Sequence, residues 1–93
     1  CIVEGPLSVD LAFNKESCRH KGLDTQVGGD VDLIVLPDVN SANIFYKTVI
    51  QLGSASSASV LTGTSVPVVF TSRSDTATTK YFSIACAIAQ CKD

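Results

Sequence analysis

Apolar runs separated by polar turns give the chain the pattern of a small domain in which strands and helices alternate. Residues 1–4 and 31–36 are mostly apolar and read as strands, the second one typical of a strand covered on both faces. Residues 58–61 and 66–71 read as two further strands, and Thr62-Gly63-Thr64-Ser65 between them predicts a hairpin. The sheet is therefore predicted to be mixed and mostly parallel.

Polar residues at the ends of apolar segments predict where two of the helices begin and end. Ser8 is placed to cap a short helix with an apolar side made of Val9, Leu11, Ala12 and Phe13. A longer helix over residues 41–52 has Asn40 or Ser41 as its cap and Gly53 as its C-terminal stop. The residues of this helix that would face the sheet are Ile44, Thr48, Val49 and Leu52.

Two further helical segments complete the predicted fold. A helical turn is expected around residues 15–19, and the last helix runs from about residue 75 to residue 89. The spacing i, i+3, i+4 and i+7 predicts that its buried stripe consists of Tyr81, Ile84, Ala85 and Ile88. These elements predict an α/β fold, a layered sheet with flanking helices, in which residues 1–93 form a single unit.

Composition argues against several classes of function, namely nucleic-acid binding, membrane binding and metal binding, but does not identify the function. Apolar residues make up 45% of the 93 residues and charged residues 17%, which is typical of a chain that folds. A net charge of -2 gives no electrostatic reason to bind nucleic acid or an anionic membrane, and no apolar run is long enough to span a bilayer. The cysteines at positions 1, 18, 86 and 91 lack metal-ligand spacing, so no metal site is expected and reduced thiols are the favoured interpretation.

The segment from Pro67 to Lys80 carries the clearest candidate chemistry. An apolar strand is followed by Ser72 and Arg73 and then by the predicted start of the last helix. A helix N-terminus exposes unpaired backbone N–H groups that favour an anion, and an arginine adds a bidentate phosphate-binding group. The pattern therefore indicates a site for a phosphate-like group, with Ser74 beside it.

The segment of residues 28–53 repeats this arrangement, because an apolar strand again ends in a polar turn and a helix follows. Two such strand ends, each feeding a helix, are how open α/β sheets form a cleft. On the helix predicted over residues 41–52, Asn43 and Lys47 are one turn apart and share a face.

Taken together, these segments make the chain resemble the phosphate acetyl/butyryltransferase family, and the butyryltransferase branch more closely. The matching pieces occur in family order over nearly the whole chain: Val3-Glu4-Gly5-Pro6-Leu7, Asp10-Leu11-Ala12, His20-Lys21-Gly22, Gly29-Asp30-Val31-Asp32, Pro37-Asp38, Ala42-Asn43-Ile44, Tyr46-Lys47, Pro67-Val68-Val69, Ser72-Arg73-Ser74-Asp75 and Lys80.

The resemblance implies an enzyme that exchanges a short acyl group, butyryl or acetyl, between coenzyme A and inorganic phosphate. It implies Ser72 and Arg73 as active-site residues and places Asn43, Lys47 and Ser74 near the substrates. Acyl-CoA and phosphate would be substrates, with no permanently bound cofactor. The resemblance further implies the phosphate acyltransferase/isocitrate dehydrogenase-like fold, a homo-oligomer, and a C-terminal part of a longer two-domain enzyme whose N-terminal domain is missing here. The reduced thiols favoured above predict a cytoplasmic location.

Several alternatives stay open from the sequence. Asp75 either acts as the base that accepts the thiol proton or caps the last helix. Lys47 either binds a phosphate group of coenzyme A or is a solvent-exposed lysine on the helix surface. The chain is either part of the transferase, with the 93 residues inactive alone, or a non-catalytic acyl-CoA-binding regulatory module of a larger enzyme such as malic enzyme. Tyr46 is assigned to packing.

Overall fold

Four helices and one pair of short strands form the regular structure of residues 1–91, which are the residues that the computed structural model describes. In chain order they are α1 (Val9–Phe13), α2 (Lys15–His20), α3 (Val39–Leu52), β1 (Val60–Leu61), β2 (Val68–Val69) and α4 (Ala77–Ala89). The chain divides into an N-terminal unit, residues 1–37, which contains α1 and α2, and a C-terminal unit, which begins at Asp38 and contains the other elements.

In the N-terminal unit, α1 and α2 pack on each other around two small buried residues, Ala12 and Cys18. Asn14 ends α1 and caps α2, because its side-chain oxygen accepts hydrogen bonds from two amides in the first turn of α2. The following loop returns to this pair at Gly29, where φ is 75° and a Cβ atom would lie 2.5 Å from the Lys15 amide nitrogen. Glycine is therefore required at this close approach.

Two of the predicted strands are not formed among residues 1–91. Residues 1–4 and 31–36 join no ladder, and the one sheet of the described chain is the β1–β2 pair. These two predictions are wrong for this structure because a strand needs a neighbouring strand, and Val3, Leu33 and Val35 are instead exposed. A mixed helix and strand composition is confirmed, whereas a layered and mostly parallel sheet is not seen in the described residues.

Glu4 shows what the first segment does instead. Its carboxylate accepts hydrogen bonds from the Thr25 hydroxyl and from the backbone amides of Gln26, at 2.9 Å, and Val27, at 3.5 Å. These bonds, the one from Thr25 first, hold the pKa of the Glu4 carboxyl below its ordinary value. An ionised side chain thus ties the first residues to the loop of residues 25–27.

Both long helices of the C-terminal unit begin close to their predicted positions but with different caps. The Asp38 carboxylate accepts from the Ser41 amide at 2.8 Å and starts α3, which ends at Gly53 as predicted. The Thr76 hydroxyl accepts from the Thr79 amide at 3.2 Å and starts α4. Asn40, Ser41 and Asp75 are therefore not the N-caps.

The hairpin is confirmed, with Val60 opposite Val69 in an antiparallel pair that packs against α4. The α4 residue at this contact is Ser83, which is completely buried and donates its hydroxyl to the Thr79 carbonyl at 2.7 Å. The same Ser83 oxygen accepts the Ser59 amide at 2.8 Å, just before β1. The helix thus meets the hairpin through a small hydroxyl side chain.

The predicted buried faces of α3 and α4 are both wrong. Tyr81, Ile84 and Ile88 are 68%, 53% and 64% exposed, and Ala85 is exposed as well, because α4 turns Ser83 and Ala87 toward the hairpin. On α3 the exposed residues include those predicted to face the sheet, namely Ile44, Thr48, Val49 and Leu52. Among the described residues, no helix has both the length and the apolar character needed to cross a membrane.

Candidate active site

The Ser-Arg pair lies in a tight turn in the C-terminal unit. The Asp75 amide donates to the Ser72 carbonyl at 3.1 Å, and the Ser72 amide donates to Asp75 Oδ2 at 2.7 Å. Residues 72–75 are therefore closed on themselves by two reciprocal hydrogen bonds. Helix α4 starts at Ala77, two residues later than predicted, and the pair precedes the helix as predicted.

Asp75 is the buried acid of this turn, with a side chain that is only 6% exposed. Both of its oxygens are engaged, since Oδ1 accepts from the Tyr46 hydroxyl at 3.0 Å and Oδ2 from the Ser72 amide. The Lys47 ammonium lies 3.9 Å from Oδ1. Burial of a carboxylate is costly unless it is paired and hydrogen-bonded, and here both conditions are met.

Lys47 connects α3 to the two serine hydroxyls of the turn. Its Nζ donates to Ser72 Oγ at 3.1 Å and to Ser74 Oγ at 3.2 Å, and it lies 5.1 Å from the centre of the Tyr46 ring. An ammonium group can only donate, so each hydroxyl oxygen acts as an acceptor toward it. The hydroxyls are 3.1 Å apart, and one can donate to the other. One O–H group therefore remains for a bound molecule, next to a positive charge.

Arg73 and Asn43 are at exposed positions outside this cluster. Within residues 1–91, neither side chain has a hydrogen bond or an ion pair. Of the residues predicted for the site, the structure thus brings Lys47, Ser72, Ser74 and Asp75 together. Arg73 lies in the same turn, between Ser72 and Ser74, and is exposed.

Tyr46 is the member of the cluster that the sequence reasoning missed. The sequence predicts a packing role, whereas its hydroxyl contacts Asp75 and Ser57, the second at 3.2 Å. A signal was present, because Tyr46 directly precedes Lys47 in the piece Tyr46-Lys47, which is one of those that carry the family resemblance. In the described part of the chain, no three histidine, cysteine, aspartate or glutamate side chains form a group that could hold a metal ion.

Comparison with known proteins shows the family. Residues 1–88 match the family described as "Phosphate acetyl/butaryl transferase". The chain belongs to this phosphate acetyl/butyryltransferase family. The identification made from its motifs is therefore confirmed.

Individual relatives agree with this membership. The phosphate acetyltransferase of Thermotoga maritima is 46% identical over 85 residues, which are 91% of this chain and 29% of that protein. The phosphate butyryltransferase of Clostridium acetobutylicum is 41% identical over 87 residues, 94% of this chain and again 29% of the relative. The chain thus spans a little under a third of the length of these family members.

A solved structure is also similar to this one. It is the crystal structure of a branched-chain phosphotransacylase from Enterococcus faecalis V583, with a TM-score of 0.78 and 39% sequence identity. The match covers 92% of this chain and 32% of that chain. Sequence and structure therefore agree on a family of acyl-transferring enzymes.

Proposed function

We propose that the protein to which these residues belong transfers a short acyl group between coenzyme A and inorganic phosphate. The observation that carries this proposal is the contact of Lys47 with both serine hydroxyls of the turn that presents Arg73. Two positive charges and a hydroxyl donor at one exposed turn suit a reaction in which a phosphate group and a developing oxyanion must be held. Relatives named as phosphate acetyl- and butyryltransferases support it.

The chemistry assigns a task to each group. The thiolate sulfur of coenzyme A attacks the carbonyl carbon of an acyl phosphate, a C–S bond forms, and the carbonyl electrons pass to an oxyanion. The oxyanion then collapses, the C–O bond to phosphate breaks, and inorganic phosphate leaves. Arg73 and the remaining O–H of the serine pair stabilise the negative charge on the oxyanion and on phosphate.

Asp75 is the proposed acceptor of the thiol proton. It is the carboxylate that contacts Ser72 and lies near Lys47. Each oxygen already accepts one hydrogen bond, but a carboxylate oxygen has a second lone pair with which it can accept a proton. Thr76 caps α4, which supports a role for Asp75 other than helix capping.

The remaining assignments concern substrates and the rest of the protein. Lys47, Ser74 and Asn43 are proposed to bind substrate, with acyl-CoA and phosphate as the substrates and no permanently bound cofactor. The proposed enzyme also includes an N-terminal domain, a larger and mostly parallel sheet, and assembly as a homo-oligomer, as the family resemblance implies. The chain spans 29% of its relatives, which leaves room in the longer protein for a further domain. The relatives give no support to the alternative of a regulatory module.

Thiol release from butyryl-CoA in the presence of phosphate tests the proposal on the full-length protein. Arg73→Ala is expected to lower the activity at least about 100-fold, because it removes a charged donor from the transition state. The thermal midpoint should not change, since Arg73 is exposed and lacks a partner within residues 1–91.

Arg19→Ala is the matched control, an exposed arginine of α2 that pairs with Glu16 on the surface. It should leave the activity unchanged. A full-length protein that binds butyryl-CoA without releasing thiol would overturn the proposal, as would full activity in Arg73→Ala.

A further inference from the structure

The Tyr46 hydroxyl makes polar contacts that a residue placed only for packing does not need. Its hydroxyl reaches from α3 to the turn of residues 72–75 and donates to Asp75 Oδ1 at 3.0 Å. The other oxygen of Asp75 accepts the Ser72 amide at 2.7 Å. Asp75 is thus a bridge with Tyr46 on one side and the backbone of Ser72 on the other.

The direction of these hydrogen bonds follows from the number of hydrogens available. The tyrosine hydroxyl has one hydrogen to donate, and an ionised carboxylate can only accept. The Tyr46 hydroxyl hydrogen therefore points to Asp75. The contact between the Tyr46 and Ser57 oxygens, 3.2 Å apart, must then be donated by Ser57. The result is a directed chain of hydrogen bonds from Ser57 through Tyr46 to Asp75.

Adjacent residues of α3 hold two different parts of the same turn. Tyr46 fixes the Asp75 carboxylate, whereas Lys47 fixes the hydroxyls of Ser72 and Ser74. The ring of Tyr46 also faces the Lys47 ammonium, 5.1 Å away. The turn that presents the Ser-Arg pair is therefore held against one helix by two consecutive side chains.

We propose that Tyr46 is a positioning residue for the acyl transfer, acting through Asp75 on the placement of Ser72. This inference rests on the proposed function. With the Tyr46 hydroxyl in place, the Ser72 amide and hydroxyl keep one geometry while substrates bind and react. Without it, Oδ1 of a buried carboxylate loses its donor and the turn can shift, and small displacements of reacting groups are costly in rate.

Tyr46→Phe in the full-length protein isolates the hydroxyl, because phenylalanine keeps the ring beside Lys47. We expect kcat to fall about tenfold while the KM values for butyryl-CoA and phosphate stay within about twofold. Tyr81→Phe is the matched control: Tyr81 is 68% exposed on α4, and the same single hydroxyl is lost. Its kcat and KM should equal those of the unmodified protein.

A double variant shows whether the effect passes through Asp75. In an Asp75→Asn background, Tyr46→Phe should cause less than about a twofold further loss, because residues that act in one chain are not additive. Ser57→Ala, one step further along the chain, should lower kcat about two- to threefold. It also serves as the test if Tyr46→Phe does not fold.

The outcomes separate this inference from the function on which it rests. An unmodified protein that transfers no acyl group refutes the proposed function, and the inference falls with it. An active protein in which Tyr46→Phe behaves like Tyr81→Phe refutes the inference alone. A lower yield of folded protein with an unchanged kcat per folded molecule also refutes it, since that is the result of a purely structural role.

Discussion

The two units of the chain use polar side chains in opposite ways. In the N-terminal unit, ionised groups at the surface tie loops and short helices together, as Asp10 does with Lys21 at 2.7 Å. In the C-terminal unit, the polar groups that matter are buried or half-buried, as Ser83 and Asp75 are, and they join segments far apart in sequence. The first arrangement leaves its polar groups in contact with water, whereas the second shields them from water and includes the candidate site.

The difference teaches where the molecule is sensitive to change. An exposed ion pair is screened by water and salt, and its loss has a small effect. When a buried donor or acceptor loses its partner, no water replaces that partner. The full cost of desolvating the group is then lost from the free energy of unfolding. The C-terminal unit should therefore respond strongly to changes that the N-terminal unit tolerates.

After Arg73→Ala and its control Arg19→Ala, a pair of lysines gives the next largest expected contrast between the two units. Lys47→Met in the full-length protein removes the donor to Ser72 and Ser74, so we expect acyl transfer from butyryl-CoA to phosphate to fall by about tenfold or more. Lys15→Met removes an exposed ion pair with Asp30, 3.7 Å apart in the N-terminal unit, and should leave the rate unchanged.

Initial rates at saturating substrate measure this contrast directly. Equal losses in the two lysine variants would show that the charge of Lys47 acts only through the general field of the protein. Equal retention of activity would remove Lys47 from the site. Either result would break the distinction between the two units.

The next largest expected effect is on stability and concerns a buried serine of the C-terminal unit. Ser83→Ala leaves the Ser59 amide without its acceptor beside the hairpin, and we expect the free energy of unfolding to fall by about 2 kcal/mol. Thr78→Ala, an exposed change on the same helix, is the control and should be neutral. Denaturant unfolding measures both, and a neutral Ser83→Ala would mean that water replaces the lost hydroxyl.

How far the sequence predicted the fold depended on whether a feature was local. The four helices and the hairpin follow from apolar spacing and from polar residues at turns and helix starts, which act within a few positions, although the residues that cap α3 and α4 are not the predicted ones. The buried face of α4 does not, because the large apolar residues Tyr81, Ile84 and Ile88 dominate the periodicity. The hairpin approaches the helix closely on the side of Ser83 and Ala87, where small residues allow it.

The candidate site shows the same division. The turn with Ser72 and Arg73 was predicted from adjacent residues and from the family resemblance. The contact of Lys47 with Ser72 joins residues 25 positions apart, and no local pattern specifies that α3 packs on this turn. Tyr46 was assigned to packing for a related reason, since an aromatic residue in a helix is most often there for its ring, and its hydroxyl acquires a role only once Asp75 is placed beside it.

The smallest expected effect belongs to the N-terminal unit and depends on pH. The hydrogen bond from Lys21, followed by that from Ser8, lowers the pKa of the Asp10 carboxyl to about 2. Because the pKa in the folded state is below the ordinary value near 4, the ionised form stabilises the fold above about pH 4. This stabilisation is lost as the pH falls through about 2.

Thermal midpoints of the full-length protein and of Asp10→Asn should therefore differ slightly at pH 6 and converge as the pH is lowered from 4 toward 2. Asp24→Asn, at an exposed position of the same unit, is the control for the loss of a charge alone. Added salt should reduce the difference at pH 6, because the Asp10 and Lys21 side chains are 45% and 54% exposed and their attraction is screened. A difference that persists at low pH or in high salt would place Asp10 with the buried polar groups of the C-terminal unit, and the two units would then not differ in the way their polar side chains stabilise them.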